Sequence, residues 1–211
     1  MNRALHASIE RASQPQHARA VFLDKDGTLI DDVPYNVDPA LVALAPGAGR
    51  ALRSLAQRGF RLVVVSNQSG VADGRFAEHE LRAVEQRIAE LLAPSGVAID
   101  AFYYCVHSAA ANCSCRKPRP GLLRRAAAEL GITLAQSWLV GDILDDVEAS
   151  HGAGCRAALI VNGNETEWRW GAQRVPDIAA PSLEQAVSAI VAVETVPQHA
   201  TRAAHALAGS R

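Results

Sequence analysis

The fold of this 211-residue chain is decided by one stretch, Val21-Phe22-Leu23-Asp24-Lys25-Asp26-Gly27-Thr28-Leu29. Its three leading apolar residues are typical of a buried parallel strand, and polar residues follow where that strand should end. Because side chains alternate along an extended segment, Asp24 and Asp26 are expected to face one site while Lys25 points away. Gly27 allows the backbone to turn sharply just beyond them.

The two aspartates predict a metal-assisted reaction on phosphorus. Carboxylates this close repel each other unless a cation lies between them, which indicates a hard divalent ion such as Mg²⁺. Asp24 can then attack phosphorus, while Asp26 protonates the leaving oxygen and afterwards activates water. A bare Asp-x-Asp is more often an ordinary acidic turn after a strand. The apolar strand before it and the Gly-Thr after it favour catalysis.

Asp24-x-Asp26-Gly27-Thr28 resembles the first motif of the haloacid dehalogenase-type phosphatases. The second motif of that family resembles Ser66-Asn67, which continues as Gln68-Ser69-Gly70. A hydroxyl and a backbone N–H at the end of a strand can hold a phosphoryl oxygen, although a lone Ser there is usually a turn former.

Two later segments resemble the third and fourth motifs of the same family. Lys117 precedes Pro118 and a predicted helix, so its charge can offset that of Asp24 and of a substrate phosphate. A solvated basic loop is the plainer explanation of that segment. In Gly141-Asp142-x-x-x-Asp146 the two carboxylates lie about one helical turn apart and can face one site. We expect Asp142 to bind metal and Asp146 to act partly as a helix cap.

Strands alternate with helices along the chain. Strands are predicted to end at residue 24 and to span 61–67, 102–105, 137–142 and 157–161; helices are predicted at 47–58, 77–93, 121–130 and 145–152. This alternation predicts an α/β fold, a doubly wound parallel sheet with helices on both faces. Ligands bind at the carboxyl ends of such strands, where Asp24, Ser66 and Asp142 fall. The expected organisation is an N-terminal arm at 1–18, a phosphatase domain at 19–194 and a frayed tail at 195–211.

Composition bounds the class of protein. Hydrophobic residues make up 49% of the chain and charged residues 20%, as in a soluble globular protein with one well-buried domain. The net charge of −1 gives no reason to expect nucleic acid or an anionic membrane as a partner. The chain has no apolar run long enough for a membrane helix and no apolar signal core near its start. A monomeric cytoplasmic enzyme with a small phosphorylated substrate is expected.

Three of the four cysteines cluster with a histidine. Cys105-x-His107 and Cys113-x-Cys115 supply three thiolates and an imidazole, a set able to close a tetrahedral zinc site. The alternative is buried or incidental cysteines beside a surface histidine, but soft ligands this dense favour metal. Four protein ligands leave no open position, so the zinc is expected to be structural and to hold the loop 105–115 ahead of Arg116 and Lys117.

The order Cys-x-His, then Cys-x-Cys-Arg-Lys-Pro, is more specific than the four general motifs and indicates a subgroup of the family. Residues 20–165 resemble the bacterial D-glycero-D-manno-heptose 1,7-bisphosphate 7-phosphatases and, less closely, the histidinol-phosphate phosphatases, groups without a large cap domain. The resemblance implies that Asp24 is the nucleophile and Asp26 the acid and base, with Mg²⁺ bound by Asp24, the Asp26 carbonyl and Asp142. It further implies the remaining site residues: Ser66 and Lys117 for the transferred phosphoryl group, Arg116 for a distal phosphate, and Asp32, Tyr35, Asn67, Gln68 and Ser69 for substrate.

Three functions therefore stay open. The first is a Mg²⁺-dependent phosphomonoesterase acting on a sugar bisphosphate, and the second is the same reaction on histidinol phosphate or another small ester. The third is a non-catalytic relative that serves as a binding module. Clustered buried charges are costly, and an idle domain has no physical need to keep them, so the enzyme is preferred.

Overall fold

The computed structural model describes residues 18–195. Six strands in this range form one sheet, in which every neighbouring pair of strands is parallel. Its strands are β1 (Arg19–Leu23), β2 (Phe60–Asn67), β3 (Ala101–Cys105), β4 (Trp138–Gly141), β5 (Arg156–Ile160) and β6 (Ile178–Ala180). They lie in the order β3-β2-β1-β4-β5-β6. In central β1, Ala20 and Phe22 join the core on one face, and Val21 and Leu23 join the core on the other. The apolar start of the deciding stretch therefore reflects burial on both faces.

Helices cover both faces of the sheet. They are α1 (Ala48–Ala56), α2 (Leu81–Leu92), α3 (Gly121–Leu130), α4 (Leu144–Ala153) and α5 (Leu183–Thr195). The first, second and fifth helices contribute Leu52, Ile88 and Ile190 to the larger apolar core. The third and fourth helices contribute Leu122 and Ala149 to the core on the opposite face. The predicted doubly wound α/β sheet is confirmed.

The end of the sheet was missed by the sequence analysis, which assigned no element between residues 165 and 195. Here β6 pairs with β5, and α5 packs against α1. The strand has only three residues, too few for an alternating pattern to be recognised. The predicted helix at 77–93 begins as a 3₁₀ turn, Glu78–Glu80, before α2.

The predicted terminal segments, a cap domain and membrane helices can be compared with the structure only over the described residues. The predicted arm at 1–18 and tail at 195–211 lie outside the described residues, apart from one residue each. Within residues 18–195 no cap domain is inserted between the elements of the sheet. No helix in this range has the length and apolarity needed to cross a bilayer.

The strand order fixes where a site can form. The chain runs outward from β1 through β2 to β3, then returns to place β4 on the other side of β1. A crevice opens at such a reversal, outside the carboxyl ends of the strands. Asp24, Ser66 and Asp142 lie at the carboxyl ends of β1, β2 and β4, which are neighbours in the sheet.

Candidate active site

Three buried carboxylates and one buried ammonium group meet at the reversal point. Asp24, Asp142 and Asp146 are at most 8% exposed, and one oxygen of each lies within 4.8 Å of the others. Lys117 Nζ lies 2.5 Å from Asp24 Oδ1 and 2.6 Å from Asp146 Oδ1. The lysine reaches them from the loop before α3, which places the predicted third motif against the first and fourth.

The cluster carries more negative charge than its lysine can balance. Burial and the charge of Asp146 raise the pKa of Asp142 to about 6. Burial also raises the pKa of Asp24, although the Lys117 ammonium opposes the change. Hard oxygen ligands with surplus negative charge are what Mg²⁺ requires, so the residues present fit this ion.

Two glycines make room for these carboxylates. A Cβ on Gly27, which has a φ of +75°, would lie 2.2 Å from Asp142 Oδ2. A Cβ on Gly141 would lie 2.2 Å from Asp146 Oδ2. Only a hydrogen fits at either position. The Gly27 turn and the Gly-Asp of the fourth motif are thus requirements of the site itself.

Asp26 sits beside the cluster in its own polar network. Its Oδ2 accepts a hydrogen bond from Gln68 Nε2 at 2.9 Å, and the same nitrogen donates to Ser66 Oγ at 2.9 Å. The expectation that Lys25 points away is wrong: the residue is 1% exposed, and its Nζ lies 3.0 Å from Asp26 Oδ1. Its long side chain can fold back, because alternation fixes the direction of Cβ alone.

Asn67 is used to hold the loop that carries Lys117. Its side-chain Nδ2 donates to the Lys117 carbonyl at 3.1 Å, and its Oδ1 accepts from the Lys117 N–H at 3.0 Å. Both ends of the amide are therefore occupied by the chain. Ser69 is half-buried in the turn that follows, where its carbonyl accepts from the Asp73 N–H.

The other predicted substrate residues lie around the entrance. Asp32 is exposed, and its pKa is raised by partial burial and by the charge of Asp26, which places it on the Asp26 side. Tyr35 follows in the same loop and is 48% exposed. Arg116 borders a cavity of about 370 Å³ together with Lys117 and Arg119. Arg116 Nη1 is buried and has no hydrogen-bond partner within the described range.

The four predicted zinc ligands converge at the end of β3. The three Sγ–Sγ distances among Cys105, Cys113 and Cys115 are 3.5, 3.2 and 3.4 Å, and His107 Nδ1 lies 3.2 Å from Cys115 Sγ. Zinc bound at about 2.3 Å would place tetrahedral sulfurs about 3.8 Å apart, so a small expansion accommodates the ion. The donor set and its spacing fit zinc. The cluster ends one residue before Arg116.

Thiol ionisation in this cluster is uneven. Burial raises the pKa of Cys105 to about 12. Burial opposes ionisation of Cys113 as well, but hydrogen bonds from the Arg116 backbone N–H and from the other two thiols lower its pKa to about 6. Zinc binding must therefore displace the protons that the raised pKa values favour on Cys105 and Cys115.

The segment after β5 supplies residues that sequence reasoning missed. Asn164 Nδ2 donates to Asp142 Oδ2 at 2.7 Å, and Asn162 Nδ2 donates to the Gly27 carbonyl at 2.8 Å. Glu165 Oε2 accepts from the Leu144 N–H at 2.9 Å, which caps α4. The available signal was their position: polar residues directly after the carboxyl end of a parallel strand face the crevice.

This parallel sheet with a carboxylate–lysine cluster at its carboxyl edge is the arrangement of haloacid dehalogenase (HAD)-like phosphatases, and the pattern of the HAD-hydrolase-like family matches residues 114–186. The chain is 38% identical over 150 residues to the D-glycero-beta-D-manno-heptose-1,7-bisphosphate 7-phosphatase of Haemophilus ducreyi, covering 68% of this chain and 82% of that protein. It is also 38% identical over 149 residues to the Escherichia coli K12 enzyme of that name, covering 67% and 78%. The chain belongs to the D-glycero-beta-D-manno-heptose-1,7-bisphosphate 7-phosphatase family.

A solved structure supports the same assignment. The crystal structure of D,D-heptose 1,7-bisphosphate phosphatase from B. bronchiseptica, complexed with magnesium and phosphate, superposes with a TM-score of 0.71 at 29% identity. The match covers 83% of this chain and 99% of that one. The predictions of a phosphatase and of its family are confirmed.

Proposed function

We propose that the chain is a Mg²⁺-dependent phosphomonoesterase that removes the 7-phosphate of D-glycero-D-manno-heptose 1,7-bisphosphate. The observation that carries the proposal is the buried set of Asp24, Lys117, Asp142 and Asp146 at the carboxyl edge of the sheet. Family membership supports the sugar bisphosphate as substrate. Histidinol phosphate is the competitor that the experiment must exclude.

Asp24 is the proposed nucleophile. Its free carboxylate oxygen attacks phosphorus while the bond between phosphorus and the sugar oxygen breaks, giving an aspartyl phosphate and heptose 1-phosphate. Lys117 holds Asp24 in one orientation, and with the Ser66 hydroxyl it stabilises the charge on the transferred phosphoryl oxygens. Mg²⁺, held by Asp24, the Asp26 carbonyl and Asp142, would neutralise negative charge shared by nucleophile and phosphate.

Asp26 is the proposed acid and base. It gives its proton to the leaving sugar oxygen, then takes a proton from the water that attacks the aspartyl phosphate and releases inorganic phosphate. The hydrogen bond from Gln68 and the Lys25 ammonium hold this carboxylate on the side where the sugar leaves. Partial exposure of its side chain, at 28%, leaves room for both substrate oxygen and water.

Arg116 is the proposed contact for the second phosphate. Arg116 borders the cavity beside Lys117, and its buried Nη1 has no hydrogen-bond partner among residues 18–195. A planar guanidinium suits a phosphate dianion. Asp32, Tyr35 and Ser69 are proposed to contact the sugar. We also propose that zinc at the cysteine–histidine cluster is structural, because four protein ligands leave no position for substrate.

The test is phosphate release, with Mg²⁺ present, from heptose 1,7-bisphosphate, from heptose 7-phosphate and from histidinol phosphate. We expect kcat/KM to be highest for the bisphosphate and Asp24→Asn to abolish turnover of all three. Arg116→Ala should reduce kcat/KM for the bisphosphate by about 10- to 100-fold, the value of a charged hydrogen bond. Its matched control is Arg61→Ala, an exposed residue near the amino end of β2.

Two results would contradict this proposal. A preference for histidinol phosphate would leave the roles of Asp24 and Asp26 intact and refute the substrate. Full activity of Asp24→Asn would refute the mechanism.

A further inference from the structure

Arg75, which the proposed mechanism does not use, differs from the other arginines that stack on aromatic rings. Four arginines lie over rings in the described residues, with guanidinium carbons 4.0 to 5.5 Å from the ring centroids. Three of these also pair with glutamates, and they are Arg19, Arg125 and Arg156. Arg75, 4.0 Å from the ring centroid of Tyr35, has no carboxylate partner within residues 18–195.

The loop between β2 and α2 holds Arg75 in place. The Arg75 N–H donates to the Gly70 carbonyl at 2.8 Å, which closes the loop directly after Gln68 and Ser69. The next residue, Phe76, is 8% exposed, and its ring lies so close to Gly70 that a Cβ there would be 2.2 Å away. The backbone on both sides of Arg75 is therefore fixed, while its side chain is exposed.

Tyr35, the residue beneath this arginine, has an unusual backbone conformation. Its φ is +58°, in the left-handed region that non-glycine residues rarely adopt and that costs about 1 kcal/mol or more. Stacking gives the guanidinium one preferred plane without consuming its N–H donors. The result is a preorganised cation whose hydrogen-bonding groups face solvent.

Arg75 and Tyr35 belong to two loops that each carry a residue near Asp26. Tyr35 is three residues from Asp32, whose pKa is raised by partial burial and by the charge of Asp26. Arg75 closes the loop that begins with Gln68, whose Nε2 contacts the Asp26 carboxylate. Since Asp26 is the proposed proton donor to the leaving oxygen, these two loops are the ones expected to meet the part of the substrate that is not transferred.

We propose that Arg75, oriented by Tyr35, binds the anionic group on the leaving part of the substrate and so selects for a second phosphate. This inference rests on the proposed function. A planar guanidinium with free N–H donors can bind two oxygens of a phosphate dianion at once. Arg75 is then a specificity-determining residue, and Tyr35, in addition to its proposed contact with the sugar, acts as a positioning residue for Arg75.

The experiment compares kcat/KM of the full chain, with its metals, for heptose 1,7-bisphosphate and for heptose 7-phosphate, which lacks the second phosphate. Arg75→Ala should lose about 10- to 100-fold on the bisphosphate and less than about twofold on the 7-phosphate. Arg75→Lys keeps the charge but not the planar fork, so it should lose an intermediate amount. Arg82→Ala is the matched control, an exposed arginine on α2.

The positioning role of Tyr35 has its own readout. Tyr35→Leu removes the ring beneath the guanidinium and should reduce the ratio of the two kcat/KM values. In the Arg75→Ala background the same substitution should change that ratio no further, because nothing remains to be oriented.

The outcomes separate this inference from the proposed function. An Arg75→Ala enzyme that keeps the wild-type preference for the bisphosphate would overturn the role of Arg75 alone. Equal losses on both substrates would do the same, since they would indicate a general disturbance of the site. A wild-type enzyme that does not prefer the bisphosphate would refute the proposed function and this inference together.

Discussion

Asp142→Asn should stabilise the magnesium-free protein at neutral pH, an unusual result for a change in an active site. Burial, followed by the charge of Asp146, raises the pKa of Asp142 from its ordinary 3.8 to about 6. The folded state therefore keeps this proton at pH values where the unfolded chain has released it. At roughly 1.4 kcal/mol per tenfold change in proton affinity, ionised Asp142 costs the folded state about 3 kcal/mol.

The pH dependence follows from the sign of this change. Because the folded pKa is raised, the penalty is absent at low pH, grows as the unfolded carboxyl ionises and is complete above about pH 6. The difference in unfolding free energy between Asp142→Asn and wild type should rise from about 1 kcal/mol near pH 4.5 to about 3 kcal/mol near pH 7.5. Asn is nearly isosteric with protonated Asp and can still accept the hydrogen bond from Asn164.

The assay is urea unfolding at several pH values after transfer to magnesium-free buffer without chelator, so that tightly bound zinc is retained. Adding millimolar Mg²⁺ should stabilise wild type and leave Asp142→Asn unchanged, because only wild type keeps the proposed ligand. Asp73→Asn, at an exposed carboxylate, is the matched control and should differ from wild type by less than about 0.5 kcal/mol at each pH.

One result would refute the reasoning. If Asp142→Asn were no more stable than wild type at pH 7.5 without Mg²⁺, the three carboxylates would not carry an electrostatic penalty. Their surplus charge would then give no reason to expect a divalent ion at this site.

Three further substitutions test the supports of the site. Asn67→Ala removes both hydrogen bonds to the Lys117 backbone and should lower kcat by about 10- to 100-fold in steady-state phosphate release, since a displacement near 1 Å has that effect. Cys115→Ser should lose zinc, measured by atomic absorption, and lower the melting temperature, because binding energy of structural zinc is folding energy. Gly141→Ala should displace Asp146, with a cost in urea unfolding of about 1 to 3 kcal/mol and reduced turnover.

Each of these three predictions has a control variant or an outcome that would contradict it. Gly171→Ala is the match for Gly141, because its added Cβ meets no atom within 4 Å. Wild-type kcat in Asn67→Ala would show that the Lys117 loop needs no support from this amide. Full zinc content and an unchanged melting temperature in Cys115→Ser would refute the proposal that Cys115 binds a structural zinc.

The sequence alone predicted the sheet and the chemistry of its carboxyl edge. Apolar runs such as the one before Asp24 are sufficient to locate strands buried on both faces, because water is excluded from both sides. The alternation of strands with helices then requires parallel pairing, since a parallel crossover needs a connection about as long as a helix. The spacing of residues within the motifs also predicted the acidic pair and the Cys₃His set, because the members of each set lie close together in the chain.

Contacts between distant segments could be decided only by the tertiary structure. Asn164 reaches Asp142 because β5 lies beside β4, and no local pattern reports that adjacency. The fold of the Lys25 side chain onto Asp26, and the use of Asn67 to support Lys117, depend on which polar groups remain unpaired after packing. The stacking of Arg75 on Tyr35 joins two loops that are adjacent only in space. Periodicity thus fixes which residues are buried, whereas the pairing of their polar atoms is a property of the assembled chain.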